Sequence, residues 1–324
     1  MSFSYNIPFL SIMLTLVSGI LVPLIRREGG ALRLIRGVQL GVAGLSALLL
    51  VRLSGAGASF SYPMGHIPAP WGNELRAGPL EALLALTFSV VMLLSLSGGA
   101  EDLRRDVRPD RQGWYCLLMQ LLFGALLAMV YTDDLFTGYV FVEIAAVTAC
   151  IAVAAKESGR SVVAAIRYLI FSCLGSGLVL LGIAMLYCIT GQLLFSGLEE
   201  AVARLVQSGE YSLPLVVSAL LMTLGLSIKS AQFPFHAWLP DAHASATTAS
   251  SAILSGLVLK GYLVLLLKLI LRVFGPALIV STYIDDLLFL LGLTGMLFAS
   301  VAALRQEEVK RMIAYSSSAQ ISYI

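Results

Sequence analysis

Five ionisable side chains interrupt stretches that are otherwise soluble in lipid: Glu143, Arg167, Lys229, Lys260 and Lys268. A charge in the hydrocarbon region is costly and persists only where it meets a partner, a wet cavity or the membrane surface. Arg167 and Lys268 stand nearer helix ends. There a long side chain can snorkel to the headgroups, which is the simpler reading for Lys268 and an even choice for Arg167. Glu143 and Lys260 have apolar neighbours for a full turn or more on both sides, and a short glutamate cannot snorkel that far, so both point to function. Glu143 and Lys229 most simply lower their burial cost by pairing. The bland version of that pair is a structural salt bridge between helices. The sharper version is a switch: Lys229 holds its proton while Glu143 is near and releases it when Glu143 withdraws.

Lys229 opens the segment "KSAQFPFHAWLPDAH", residues 229–243. Pro234 lacks an N–H and its ring clashes with the carbonyl four residues back, which predicts a helix break around Phe233 to Phe235, with Pro240 opening another turn. Broken backbone at membrane depth is tolerated only where it is buried in protein or lines a water-containing cavity, so a wet place beside Lys229 is expected. His236, titrating near neutral pH, is a candidate proton relay there. His243, closer to the surface, reads more simply as a hydrogen-bonded packing residue. Neither histidine forms a metal site, because no third ligand stands at suitable spacing.

These residues need a membrane scaffold, and the composition supplies one. Of 324 residues 58% are hydrophobic and 12% charged, with a mean hydropathy of +0.90. An ordinary soluble domain is about half apolar and a quarter charged. Apolar runs centre on about residues 7–25, 37–53, 79–98, 114–131, 135–155, 161–189, 213–231, 246–271 and 279–303, and a tenth begins near Met312. The expected fold is therefore all-α integral membrane, a polytopic helix bundle with a discontinuous seventh helix. The first run, "IPFLSIMLTLVSGILVPLI", has no positive charge before it and is too long for a signal-peptide core, so it is expected to stay as the first helix.

Basic residues sort by connection. Arg26, Arg27, Arg33 and Arg36 fall in the first, Arg104, Arg105, Arg108 and Arg111 in the third, Lys156 and Arg160 in the fifth, and Arg305, Lys310 and Arg311 in the ninth. The even connections carry little more than Arg52, Arg76 and Arg204. The positive-inside rule then predicts an external N-terminus and cytoplasmic odd connections. The Gly/Pro/Ser-rich stretch "SGAGASFSYPMGHIPAPWGNELRAGP" reads as an external loop with Trp71 at the interface, and "GLEEAVARLVQSGEY" as a short amphipathic surface helix. The four cysteines, Cys116, Cys150, Cys173 and Cys188, read as small buried packing groups. A net charge of +2 without a basic tail argues against nucleic acid. The absence of a Cys cluster, a dinucleotide-type Gly fingerprint or a haem-ligand pattern argues against a cofactor in this chain.

The pieces "DLFTGYVFVE", "AIRYLIFSCLGSGLVLLGI", "KSAQFPFHAWLPDAH", "AILSGLVLKGYLVLLLK" and "QEEVKRMIAYSSSAQISYI" occur in that order. Over about residues 60–324 the chain resembles the antiporter-like membrane subunits shared by respiratory complex I (proton-translocating NADH:quinone oxidoreductase), energy-converting hydrogenases and Mrp-type sodium/proton antiporters. The resemblance implies that Glu143 is the fifth-helix glutamate and Lys229 the lysine of the discontinuous seventh helix, a pair that modulates proton transfer. It implies that Lys260 carries the proton towards the middle of the subunit and that His236 stands beside the break. Arg167 falls where many members have a sixth-helix lysine and is expected to modulate the pair. Asp241 and His243 also match, without a defined role, and Lys268 is a further possible participant.

The chain departs from the pattern at "ASATTASSA" after "WLPDAH", at Val142 where tryptophan is frequent, and at Gly78 where aspartate is common. Relatives have about fourteen helices in two inverted repeats. The expected organisation is three N-terminal helices over 1–113, a first repeat over 114–272 and the start of a second over 273–324, an incomplete copy of that fold. The resemblance implies proton translocation in the inner (plasma) membrane of a bacterium or archaeon, alongside other membrane subunits that carry the electron chemistry. The alternatives are an Mrp-type antiporter that also moves sodium and a truncated passive assembly subunit.

Overall fold

The computed structural model describes residues 3–25, 29–57, 59–67 and 72–324. The chain is an all-α polytopic membrane protein, with nine helices among the described residues long and apolar enough to cross a bilayer. In lipid the backbone of such a run has no hydrogen-bonding partner but itself, so it closes into a helix. In chain order, α1 (Ile7–Leu21) and α2 (Gly30–Ala56) precede a hairpin of β1 (Phe60–Pro63) and β2 (Glu74–Ala77). Then come α3 (Pro79–Gly98), the short α4 (Ala100–Asp106), α5 (Gln112–Tyr131), α6 (Leu135–Ala154), α7 (Gly159–Thr190), the amphipathic α8 (Phe195–Ser208) and α9 (Ser212–Lys229). After a break, α10 (Leu239–Ser245) leads into a segmented eighth span. That span consists of α11 (Thr248–Ile253), a π-helical turn (Leu254–Val258), α12 (Leu259–Lys268), a second π-helical turn (Leu269–Phe274) and α13 (Gly275–Ser281). α14 (Ile284–Leu304) and α15 (Val309–Tyr323) follow, and α14 leaves most of its surface exposed.

Loops join the two ends of the bundle in a consistent way. At one end the basic connections meet: Arg36 donates to the Leu96 carbonyl (2.9 Å), Lys156 pairs with Asp106 (2.8 Å), Arg160 with Glu308 (3.4 Å), and Lys310 donates to the Ala246 carbonyl (2.9 Å). At the other end Leu75 bridges to Thr132, Asp134 bridges to Leu194, and Arg272 pairs with Asp133 at 2.7 Å. The odd and even connections thus occupy opposite ends, as the distribution of arginine and lysine predicts. Arg26, Arg27 and Trp71 lie outside the described residues.

Several expectations need correction. The Gly/Pro/Ser-rich stretch is not all loop: Phe60 to Pro63 pairs antiparallel with Ala77 to Glu74. Alternation explains it, because Tyr62, Leu75 and Ala77 turn inward, and Tyr5 stacks on Phe60 at 5.1 Å. The eighth span runs on to Ser281, because a π-helical turn and a kink at Gly275 (φ +70°) carry the chain past Arg272. The seventh helix ends at Lys229 rather than near Phe233, since the carbonyl that Pro234 obstructs is that of Ser230, four residues back. Pro240 lies in the first turn of α10, where a missing N–H is harmless. Cys116 and Cys150 are buried, but Cys173 and Cys188 lie on the exposed surface of α7.

Candidate functional site

Glu143 on α6 and Lys229 at the last turn of α9 meet, with Lys229 Nζ 3.0 Å from Glu143 Oε1. Lys229 is 1% exposed, so the carboxylate supplies charge compensation that water does not. Two serines on α7 complete the site. Lys229 Nζ donates to Ser172 Oγ (3.0 Å), and the single O–H of Ser176 lies between two acceptors, Glu143 Oε1 and the Ser172 carbonyl (2.9 Å). Tyr262 from α12 presents its ring to the ammonium, 5.6 Å from Nζ to the ring centroid. The sequence reading missed both serines. Their signal was spacing: residues four apart share a helix face, and these two are hydroxyls in an apolar run.

Glycines let α7 and α9 approach closely enough for this. A Cβ on Gly175 would stand 2.7 Å from the Gly225 carbonyl oxygen and 3.0 Å from Lys229 Cγ, and one on Gly225 would stand 2.5 Å from the Gly175 carbonyl oxygen. Small residues at such a crossing bring backbones together as in other membrane bundles. The break beyond Lys229 is held from α15. Ser318 Oγ donates to the Ala231 carbonyl (3.0 Å), Arg311 pairs with Asp241 (2.7 Å), and Lys310 takes the Ala246 carbonyl. Tyr168 on α7 stacks on Trp238 at 4.3 Å.

The remaining sequence-selected residues surround the pair without bonding to it. Lys260, partly buried on α12, donates to the Ser255 carbonyl (2.8 Å) in the first π-helical turn, and Ser255 Oγ lies 2.6 Å from Ser317 Oγ. His236 sits in the break between Phe233 (ring centroids 5.5 Å) and Tyr315 (5.9 Å). His243 is fully buried rather than near the surface, with Nδ1 2.7 Å from Ser251 Oγ. α10 turns it inward. Arg167, its side chain 60% exposed, reaches Asp241 at 2.5 Å and neither member of the pair. Asp241 therefore bridges two arginines, one from α7 and one from α15. Lys268 does not snorkel. It is buried at the end of α5, donating to the carbonyls of Met129 (3.4 Å), Val130 and Thr132 (3.1 Å). A cation is well placed against the unpaired carbonyls of a helix C-terminus.

Chemically, the centre is a buried base whose charged form depends on an acid carried by another helix, an arrangement able to bind and release a proton as that acid moves. The sequence profile described as "NADH:quinone oxidoreductase/Mrp antiporter, TM" matches residues 132–324, which hold every residue of this site. NADH-quinone oxidoreductase subunit N of Desulforudis audaxviator is 35% identical over 290 residues, taking in 86% of this chain and 56% of the relative. A chain of the membrane-bound sulfane sulfur reductase, an archaeal respiratory membrane complex, is 27% identical with a TM-score of 0.85, over 98% of this chain and 63% of that one. A chain of the Mrp complex from Dietzia sp. shares the fold at a TM-score of 0.87 and 20% identity, over 100% of this chain and 58% of its own. The chain spans about half the length of the curated relatives it matches. On the match across its site-bearing half, the chain belongs to the NADH:quinone oxidoreductase/Mrp antiporter family of membrane subunits.

Proposed function

We propose that the chain translocates protons as an antiporter-like subunit of a redox-driven membrane complex, using the first repeat at 114–272. The observation that carries this reading is the 3.0 Å contact between Lys229 and Glu143, because the lysine is buried and its charge depends on the acid. Glu143 approaches and withdraws, Lys229 takes up and releases the proton, and Lys260 passes it towards α14 and α15, the start of a second repeat. His236 gives the break a relay, while Asp241 ties Arg167 to α15 and modulates the pair from a distance. His243 packs against the Ser251 hydroxyl, and Lys268 holds the carbonyls at the end of α5. The basic end of the bundle faces the cytoplasm of a bacterium or archaeon and the N-terminus faces outward, which accords with the positive-inside rule. Electron transfer belongs to partner subunits.

The test is proton translocation by the assembled complex carrying Lys229→Ala or Glu143→Gln. Both should reduce the protons moved per turnover while the subunit stays in place. Normal stoichiometry in Lys229→Ala would sink the role given to the lysine. A Mrp-type exchange is the second reading, favoured by 29% identity across 97% of this chain to a putative antiporter subunit mnhA2 of Staphylococcus haemolyticus. Proton flux that requires sodium would select it.

A further inference from the structure

We propose that Ser172 is a positioning residue that serves Lys229 in both of its protonation states, so that this buried lysine can give up its proton. The inference rests on the reading of Lys229 as the proton carrier and adds what makes release feasible at that site. Lys229 Nζ has two bonded protein partners among the described residues, Glu143 Oε1 and Ser172 Oγ, each at 3.0 Å. An ammonium group needs acceptors, whereas a neutral amine also needs a donor for its lone pair. An ionised carboxylate only accepts. The Tyr262 ring face, 5.6 Å away, likewise favours only the cation. A hydroxyl does both by rotating about its C–O bond. Ser172 is 3% exposed, so no water shell stands ready to do this instead. When Glu143 leaves, Ser172 is the partner that stays and can reverse its role.

Two other lysines give the contrast. Lys268 is 7% exposed and bonded to three backbone carbonyls, of Met129, Val130 and Thr132. Carbonyls accept and never donate, so a deprotonated Lys268 would keep two N–H donors but lose one of the three bonds, and its lone pair would find no donor. Lys260 has one carbonyl partner, that of Ser255, and no bonded hydroxyl among the described residues. Ser176 contributes orientation: its single O–H is within reach of Glu143 and of the Ser172 carbonyl, so one turn of α7 carries a hydroxyl for each member of the pair.

The test compares Ser172→Ala, Ser172→Thr and Lys229→Ala in the assembled complex. It reads the amount of complex, protons moved per second at saturating substrate, and the solvent deuterium isotope effect. Ser172→Ala removes one oxygen and should assemble normally but translocate about tenfold more slowly or worse, the scale of an unmade buried hydrogen bond. Its isotope effect should rise as proton release becomes limiting. Ser172→Thr keeps the hydroxyl and should stay within about twofold of the parent, with an unchanged isotope effect. Parental rates in Ser172→Ala together with an inactive Lys229→Ala would overturn this inference and leave the lysine's role intact. Parental rates in Lys229→Ala would overturn both. Assembled Ser172→Thr as slow as alanine would show that shape, not the hydroxyl, matters, and would also overturn it.

Discussion

Lys229 and Glu143 share a 3.0 Å contact with unequal exposure: the lysine side chain is 0% exposed and the glutamate side chain 33%. The acid reaches the surface of this chain and the base does not. Removing the acid therefore strands a wholly enclosed cation, while removing the base leaves a less enclosed carboxylate that keeps the Ser176 hydroxyl. Glu143→Gln should cost on the order of 3 kcal/mol of stability, clearly more than Lys229→Met. Thermal unfolding of the purified protein measures this, and the double variant should regain much of the loss. Equal losses for the two single variants would contradict the asymmetry.

The crossing of α7 and α9 sets a second expectation. Gly225→Ala places a Cβ 2.5 Å from the Gly175 carbonyl oxygen, and backbone cannot yield as a side chain can. A destabilisation of about 1–3 kcal/mol should follow, with loss of translocation as Lys229 moves away from Ser172. Gly177→Ala, which meets nothing within 4 Å, is the matched control and should leave both unchanged. A fully active Gly225→Ala protein would show that the helices have room to separate.

Lys268 should behave as structure rather than as machinery. Lys268→Met leaves three carbonyls at the end of α5 without their donor, a loss of about 2 kcal/mol. Proton translocation per assembled complex should be unchanged. A loss of translocation at full assembly would instead put Lys268 on the proton route.

Asp241 predicts a change in local motion. Asp241→Asn weakens the links from α10 to both Arg167 and Arg311, so amide hydrogen exchange over Leu239–Ser245 should speed up in the assembled protein. Unchanged exchange would assign the hold on α10 to Lys310 and the Tyr168–Trp238 stack alone.

Much of this was legible in the sequence because the bilayer imposes a length and a price. Apolar runs located the nine spans, and the cost of an unshielded charge singled out Glu143 and Lys229 before any geometry was known. The two serines were not singled out, because a hydroxyl in a membrane helix can satisfy itself on its own backbone, as Ser89 does with the Ala85 carbonyl. Only the crossing of α7 over α9 distinguishes Ser172 from such a residue. The site of Lys268 was misread for a related reason. Its partners lie some 136 to 139 positions earlier in the chain, where no local pattern points to them.

The two π-helical turns of the eighth span bear on how the family tolerates change in chain length. A π turn fits one residue more than an α turn into about the same rise, and each residue of a helix advances its direction by about 100°. Deleting a single residue from Leu254–Val258 would leave an unbroken apolar helix that still spans the membrane. Lys260 would keep nearly the side it now faces relative to α11, because the turn that loses the residue closes as an ordinary α turn, whereas a deletion with no π turn to absorb it would swing the lysine by about 100°. The turn is slack in the helix phase, so one codon can be lost there while the charge beyond it keeps its aim.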